Sequence, residues 1–435
     1  MCLPLASYVH LHLHSSQATL FALSIPRSFS HIHLAMATSP ALDIPPEPDK
    51  KRLRPTITAD ISFSTTPSSA SLMPDLAEQL DEEERNKYVK GKKLGSGQYA
   101  DVFSAHLKTD PTQLVAIKKI KVGPEFKDFG ISYDSLREIR FLQELSHPNI
   151  IKLYSVFSTK SQNLNLVLEQ LPQGDLLKLI QDKQNISYTP ADIKAWMLMM
   201  SRAIWFCHAN YVLHRDIKPN NMLIAADGEI KLADFGLARS FGDPFQRMTY
   251  NTITLWYRPP ELFYHAEHYG GAVDVWSLGC VFAELIARDV FLRAWPESEM
   301  EQVRIICANV GTPTEENWPG VGKLKNYIVP NDVTPVRKRD SWLAQFRSVG
   351  DVGVDLLMKM MVLDPGKRLT AKGVLEHGWW NAEPRPSKLE DLPKKGGGLA
   401  AMGEDLKRKG GEIPEESKGR ADGIARKIDF GKTNK

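Results

Sequence analysis

Cysteine is scarce. The 435-residue chain has four, Cys2, Cys207, Cys280 and Cys307, scattered without paired spacing. That excludes a disulfide scaffold or a thiolate zinc site and fits a reducing compartment. No apolar run is long enough to span a bilayer. Neither sign of charge dominates: Lys+Arg number 55 and Asp+Glu 52, for a net charge of +3. Bulk electrostatics therefore imply neither a direct nucleic-acid partner nor a membrane surface. Internal repeats are absent as well. The remaining composition, 42% hydrophobic and 25% charged, is ordinary for a globular protein and gives room for a large core. The length suits two or three domains, or one bilobal unit with tails. A soluble, intracellular protein is expected.

Acidic residues are missing from the start of the chain, where Asp43 is the first. Residues up to about 75 lack helical or strand periodicity and are rich in Ser, Pro, Thr and His. Such composition buries too little apolar surface to offset the entropy of ordering. Two readings of the opening stretch stand side by side: a transit peptide, which it resembles although Arg27 is its single Arg or Lys, or an upstream extension with translation starting at Met36 and residues 1–35 outside the mature protein. The run Lys50-Lys51-Arg52-Leu53-Arg54 is either a nuclear-import patch or a solvating stretch of tail. At the other end, Lys, Gly, Pro and Glu accumulate from about Glu383, with Lys394-Lys395-Gly396-Gly397-Gly398 the clearest low-complexity piece. The expected organisation is a disordered extension over 1–87, an ordered unit over 88–381, and a disordered charged tail over 382–435 that docks a partner or solvates the chain.

The densest polar stretch is HRDIKPNN, His214 to Asn221, set between the apolar segments Tyr211–Leu213 and Met222–Ile224. It puts Arg215, Asp216, Lys218 and Asn221 on one short loop, and Asp234 of DFG follows a brief hydrophobic run. Two acids, an amide and a lysine brought together suit phosphoryl transfer. Asp216 would orient an attacking hydroxyl and take its proton. Asn221 and Asp234 would hold Mg²⁺ on nucleotide phosphates, and Lys218 would offset charge on the transferred group.

Upstream, Lys93 to Val102 reads as strand, glycine turn, strand, and Gly95 and Gly97 allow close backbone approach to phosphate oxygens. Val115-Ala116-Ile117-Lys118 is a buried strand carrying one charge, which needs a partner because an unpaired buried ammonium is costly. Glu138 is the candidate, on an amphipathic helix from Tyr133 to Leu145 in which Leu136, Ile139, Leu142 and Leu145 recur at helical spacing. Leu164 to Leu168 is a strand running into a connector broken by Pro172-Gln173-Gly174, with the backbone of Glu169 to Leu171 facing adenine. Ile193 to His208, Val273 to Ile286 and Val354 to Val362 read as buried helices, and Gly311-Thr312-Pro313-Thr314 as a turn with helix-start signals. Strands thus fill the small half and helices the large one.

Taken in order, GSGQYA, VAIK, HRDIKPNN, DFG and PPE resemble the eukaryotic protein kinases over roughly residues 88 to 381. The resemblance implies an α+β bilobal fold, with a strand-rich N-lobe over 88–171 and a helical C-lobe over 172–381. Lys218 after Asp216 is similar to the serine/threonine branch. In that reading ATP is held by Leu94, Gly95, Ser96, Gly97, Gln98, Tyr99, Ala100 and Val102 of the glycine hairpin. Ala116 and Lys118 follow on the next strand, then Leu168, Glu169, Leu171 and Asp175 on the connector, and Leu223 beyond the loop. Lys118 paired to Glu138 would aim its ammonium at the α and β phosphates. Glu261 of Pro259-Pro260-Glu261, where the family carries Ala-Pro-Glu, would pair with Arg368.

The block SLREI around Glu138 and GTPTEENWP resemble cyclin-dependent kinases. GQYA, LREIRFLQELSHPNII and LADFGLARSF are most similar to the cyclin-dependent-kinase-activating kinase of TFIIH. That class implies a nuclear enzyme working with cyclin H and a RING-finger assembly factor. Its substrates are Ser-Pro repeats of the RNA polymerase II tail and, in some lineages, activation loops of other cyclin-dependent kinases. Leu136 and Ile139 match cyclin-facing positions. Thr249, seven residues before Trp256, matches the activating phosphothreonine, and Arg137, Arg215 and Arg239 would cage its phosphate. Asn251 stands where mitogen-activated kinases need tyrosine, so dual Thr/Tyr switching is not expected. Tyr99 is either an inhibitory phosphorylation site or an ordinary strand residue. Thr252-Ile253 replaces two valines beside the substrate's +1 proline, and the connector Gln170 to Asp175 is one residue longer than in relatives. Two further readings are a cyclin-dependent kinase of another cell-cycle or transcription step, and a catalytically dead scaffold, which the intact Lys118, Asp216, Asn221 and Asp234 disfavour.

Overall fold

The structure, a computed structural model, describes residues 76–97, 100–121, 133–159, 163–243, 245, 247–250 and 252–393. The expectations for residues 1–75, including the import patch, for Gln98 and Tyr99, for Asn251 and for the tail beyond 393 lie outside them.

Helix α1, Leu76–Asn86, precedes five strands: β1 Tyr88–Ser96, β2 Ala100–Leu107, β3 Leu114–Ile120, β4 Leu153–Ser158 and β5 Leu164–Glu169. Helix α2, Tyr133–Glu144, lies between β3 and β4. The strands form one antiparallel sheet in the order β1-β2-β3-β5-β4. Alternation sorts the central strand by face. Val115 and Ile117 pack with Ala105, Phe157 and Val167 in one core, which leaves Ala116 and Lys118 to the other face.

The second lobe is helical: α3 Leu176–Gln181, α4 Pro190–Ala209, α5 Pro260–Phe263, α6 Ala272–Ala287, α7 Glu299–Asn309, α8 Arg339–Phe346, α9 Gly350–Met360 and α10 Ala371–Leu375. Two short ribbons, β6 Val212–Leu213 with β9 Arg239–Ser240 and β7 Met222–Ile224 with β8 Ile230–Leu232, fold the polar loop back on itself. Helix α4 begins where Thr189 and Asp192 close a reciprocal capping box after which Pro190 takes the first helical position. Helix α6 is mostly apolar and is buried on every side from Val273 to Leu285, as such a helix must be. The helix-start signals at Gly311–Thr314 lead to a turn instead, in which the Asn317 side chain accepts from the Thr314 amide at 3.0 Å. A glycine at φ 130° and the nearby Pro319 stop propagation.

The disorder expected of both flanks needs correction where they adjoin the ordered unit. Residues 76–86, assigned to the disordered extension 1–87, form α1. Its helix-forming Leu, Ala, Gln and Glu residues carry it, and Asp81 fastens it to β4 by accepting from the Ser158 amide (2.8 Å) and hydroxyl (2.7 Å). Residues 382–393, assigned to the tail, lie against α4. The Lys194 ammonium donates to the carbonyls of Ala382 and Pro384, both at 2.8 Å, and the Ser387 hydroxyl donates to Asp192 at 2.6 Å. Leu392 is buried beyond them. Buried backbone and side-chain pairing, which composition does not report, keeps this segment in place.

Candidate active site

Asp274 of α6 fixes the polar loop. Its carboxylate accepts the amides of His214 and Arg215, each at 2.9 Å, and the His208 ring at 2.8 Å. Burial pushes this carboxyl up, but the His208 and His214 rings and the Arg215 amide more than offset that, so it stays below the ordinary range and charged. The payoff is local geometry. Arg215 sits at φ 64°, a left-handed conformation costing about 1–3 kcal/mol for such a side chain, and the two amide bonds hold it there. Asp274 was missed in the sequence because an acid in the first turn of a buried helix reads as an ordinary dipole partner.

His214 joins the two catalytic segments. Its Nε2–H donates to the Ala233 carbonyl (3.1 Å) and its Nδ1 accepts the Asp216 amide (3.2 Å), which fixes the tautomer. The ring meets Phe235 edge-on at 4.8 Å.

Asp216 is the centre of the set. One carboxylate oxygen accepts the Lys218 ammonium (2.7 Å) and the Asn221 amide nitrogen (2.8 Å); the other accepts the Thr254 hydroxyl at 2.7 Å. Lys218 also donates to the Thr254 hydroxyl oxygen at 3.0 Å. An alcohol therefore already occupies the contact that a reacting serine would make. Thr254 went unrecognised in the sequence, where interest fell on Thr252-Ile253; the signal was a hydroxyl residue in the segment leading to Pro259-Pro260-Glu261.

Lys118 crosses from β3 to α2 as expected, donating to both Glu138 oxygens at 2.6 and 2.9 Å. It also reaches Asp234 at 3.4 Å. Burial would lower its ammonium, but the Glu138 and Asp234 carboxylates outweigh burial and hold it above the ordinary lysine value. Asp234, at φ 66°, is pushed up by burial, yet the nearby Lys118 ammonium, by charge and hydrogen bond, keeps its carboxyl below the usual range.

A cleft of about 240 Å³ lies between the lobes. Leu94, Val102, Ala116, Leu168, Leu171 and Leu223 supply its apolar walls, and Lys118, Glu138, Glu169, Asn221 and Asp234 its polar groups. Gly95, Ser96, Gly97 and Ala100 form the hairpin closed by the Gly97 amide on the Ala100 carbonyl at 2.8 Å. Asp175 does not line the cleft. Its carboxylate caps α3, accepting the Lys178 amide at 2.9 Å, while Gly174 at φ 82° turns the connector. The cleft fits a nucleotide carrying Mg²⁺, because its free donors are hard oxygens. Asn221 commits its amide nitrogen to Asp216, leaving the amide oxygen for a cation, and the Asp234 side chain is half exposed. Bound there, ATP and Mg²⁺ supply the phosphoryl group and the charge that offsets its oxygens.

Of the three arginines expected around Thr249, Arg215 alone touches it, at 3.2 Å from the hydroxyl. Arg239 donates to the Arg247 carbonyl (3.1 Å) and Arg137 to Asp134 (2.7 Å). They remain close enough to act on one another: burial first, then the charges of Arg215 and Arg137, push the Arg239 guanidinium below its usual value. Glu261 and Arg368 make the expected pair, two-pronged at 2.7 and 3.0 Å and fully buried.

Residues 88–380 match the protein kinase domain family. The chain is 45% identical over 331 residues to serine/threonine-protein kinase crk1 of Schizosaccharomyces pombe, covering 76% of this chain and 96% of crk1. It is 43% identical over 304 residues to cyclin-dependent kinase 7 of Dictyostelium discoideum, covering 69% of this chain and 81% of that one. A solved structure of the CAK complex from Chaetomium thermophilum bound to ATP-γ-S superposes with a TM-score of 0.71 at 59% identity, over 74% of this chain and 100% of that chain. The chain belongs to the protein kinase family, as a serine/threonine kinase of the cyclin-dependent kinase group most similar to the cyclin-dependent-kinase-activating kinases.

Proposed function

We propose that this kinase works in the nucleus within TFIIH, with a cyclin H-like cyclin and a RING-finger assembly factor, and phosphorylates Ser-Pro repeats of the RNA polymerase II tail. Activation loops of other cyclin-dependent kinases form a second substrate class. The observation that carries the chemistry is the Asp216 carboxylate already engaged by an alcohol, Thr254, and flanked by Lys218 at 2.7 Å. Asp216 orients the incoming serine hydroxyl and takes its proton; Lys218 offsets charge on the moving phosphoryl group; Asn221 and Asp234 hold the cation, and Lys118 the α and β phosphates.

Proline preference has a physical support. The Ile253 carbonyl, beside the position of the residue after the target serine, is taken by the Arg258 guanidinium at 3.0 Å. It cannot serve a substrate amide, and proline alone brings no amide that needs one. On α2, Leu136 and Tyr133 stand exposed at 46% and 79%, apolar surface of the kind a cyclin covers, while Ile139 is half buried. Among the described residues, no helix is long and apolar enough to cross a membrane.

Two measurements test the reading. The reconstituted cyclin complex should phosphorylate a Ser-Pro heptad peptide about tenfold or more faster, in kcat/KM, than its Ser-Ala counterpart. Native purification should bring down a cyclin with TFIIH subunits; a different cyclin without TFIIH would reassign the kinase to another cell-cycle or transcription step.

A further inference from the structure

Three successive residues of the activation segment are held by one loop whose residues none of the sequence motifs includes. The Met248 amide donates to the Glu267 carbonyl at 2.8 Å, and the Met248 side chain is buried. The Thr249 carbonyl accepts the Tyr269 hydroxyl at 2.6 Å. The Tyr250 ring stacks on His265 with centroids 3.8 Å apart and planes 17° from parallel. None of these contacts involves a charge on Thr249. The Tyr269 oxygen meanwhile accepts from the Arg215 guanidinium at 2.9 Å, the same nitrogen that reaches the Thr249 hydroxyl. One phenol thus joins the catalytic-loop arginine to the backbone of the threonine.

The loop rests on a rigid base. The Ala266 amide donates to the Glu261 carbonyl at 3.0 Å, and the Glu261 carboxylate is locked to Arg368. His265 is held at φ 57°, which aims its ring at Tyr250. The Thr249 side chain itself stays exposed, open to a modifying enzyme.

We propose that the loop His265–Tyr269 is a phosphate-independent clamp on the activation segment, with Tyr269 the positioning residue that seats Thr249 against Arg215 before any phosphate is attached. The unmodified kinase then keeps its catalytic loop and activation segment in register, and a phosphate on Thr249 takes over the bond to Arg215 that the phenol shares. This rests on the reading of Thr249 as the activating site.

The test compares the full-length cyclin complex with Thr249 dephosphorylated and phosphorylated. Tyr269→Phe should lower kcat/KM of the dephosphorylated form about tenfold, the scale of one hydrogen bond to a charged group, and change the phosphorylated form less than about twofold. His265→Ala should move both forms in the same sense by less. An equal loss in both forms, or no loss in either, overturns the clamp. Hydrogen exchange at the Met248 amide, read in the unmodified wild type and Tyr269→Phe, separates this from the underlying reading. If phosphorylating wild-type Thr249 leaves activity unchanged, the activating-site reading fails, yet faster exchange in Tyr269→Phe still supports the clamp and unchanged exchange overturns it.

Discussion

Asp216 receives a lysine, an amide and an alcohol on two oxygens, so its position is set by two donors of its own loop and one from the distant Thr254. Asp216→Asn keeps the shape and removes the proton acceptor. Its kcat should fall about 10²- to 10⁴-fold, the range for general-base positioning, with little change in melting temperature. Thr254→Val removes the hydroxyl that bridges Lys218 and Asp216. Steady-state kinetics should show a loss of about tenfold, most of it in kcat, and Thr254→Ser should restore it. Activity unchanged in the valine variant would mean that Lys218 and Asp216 hold their geometry without the bridge. Asp216, Lys218, Asn221 and Asp234 could be singled out because they fall in short contiguous strings. Thr254 and Asp274 were not, because each meets the loop only after the chain returns from tens of residues away.

At the scale of elements, α1 and the buried pair that ties Glu261 of α5 to Arg368 decide how firmly the lobes are built. Asp81 and Glu84 stand three apart on α1, on the face toward β4, where Glu84 also accepts the Tyr88 hydroxyl at 3.1 Å. The expected disorder over 1–87 took no account of this spacing, which puts both acids on one face of a helix. Asp81→Ala strands the Ser158 amide and hydroxyl and should cost about 1–2 kcal/mol, seen as a lower denaturant midpoint at constant m. Arg368 is bonded to Glu261, to the carbonyls of Val362, Leu363 and Ala272, and lies over the Trp276 ring. Arg368→Ala leaves the Glu261 carboxylate buried without its partner and should cost about 3–5 kcal/mol in the same measurement. That pairing was legible in the sequence through motif order alone, since nothing local brings residues 261 and 368 together.

Across the whole molecule, one buried acid makes stability depend on pH. Glu284 on α6 accepts the Tyr257 hydroxyl at 2.7 Å, and burial raises its carboxyl from the ordinary 4.5 to about 7. The folded chain therefore binds this proton more tightly than the unfolded chain, and between those two pH values folding takes a proton up. Stability from this group is greatest below 4.5 and declines as pH rises through 7. Glu284→Gln should raise the melting temperature at pH 8 and change it little at pH 4.5; the opposite ordering would show that Glu284 is charged and paired in the fold. The sequence by itself pointed to a bilobal, ATP-using kinase through the order of its motifs and their resemblance to that family, because a glycine turn, a lone strand lysine and a clustered polar loop are each recognisable over a few residues. Tertiary structure alone decided which distant groups complete the set: Asp274 anchoring the loop, Thr254 occupying the alcohol position, Tyr269 bracing Thr249, and α1 and residues 382–393 joining the folded body. The physical reason is that these contacts depend on where buried polar groups find partners after folding, and sequence spacing carries no record of that.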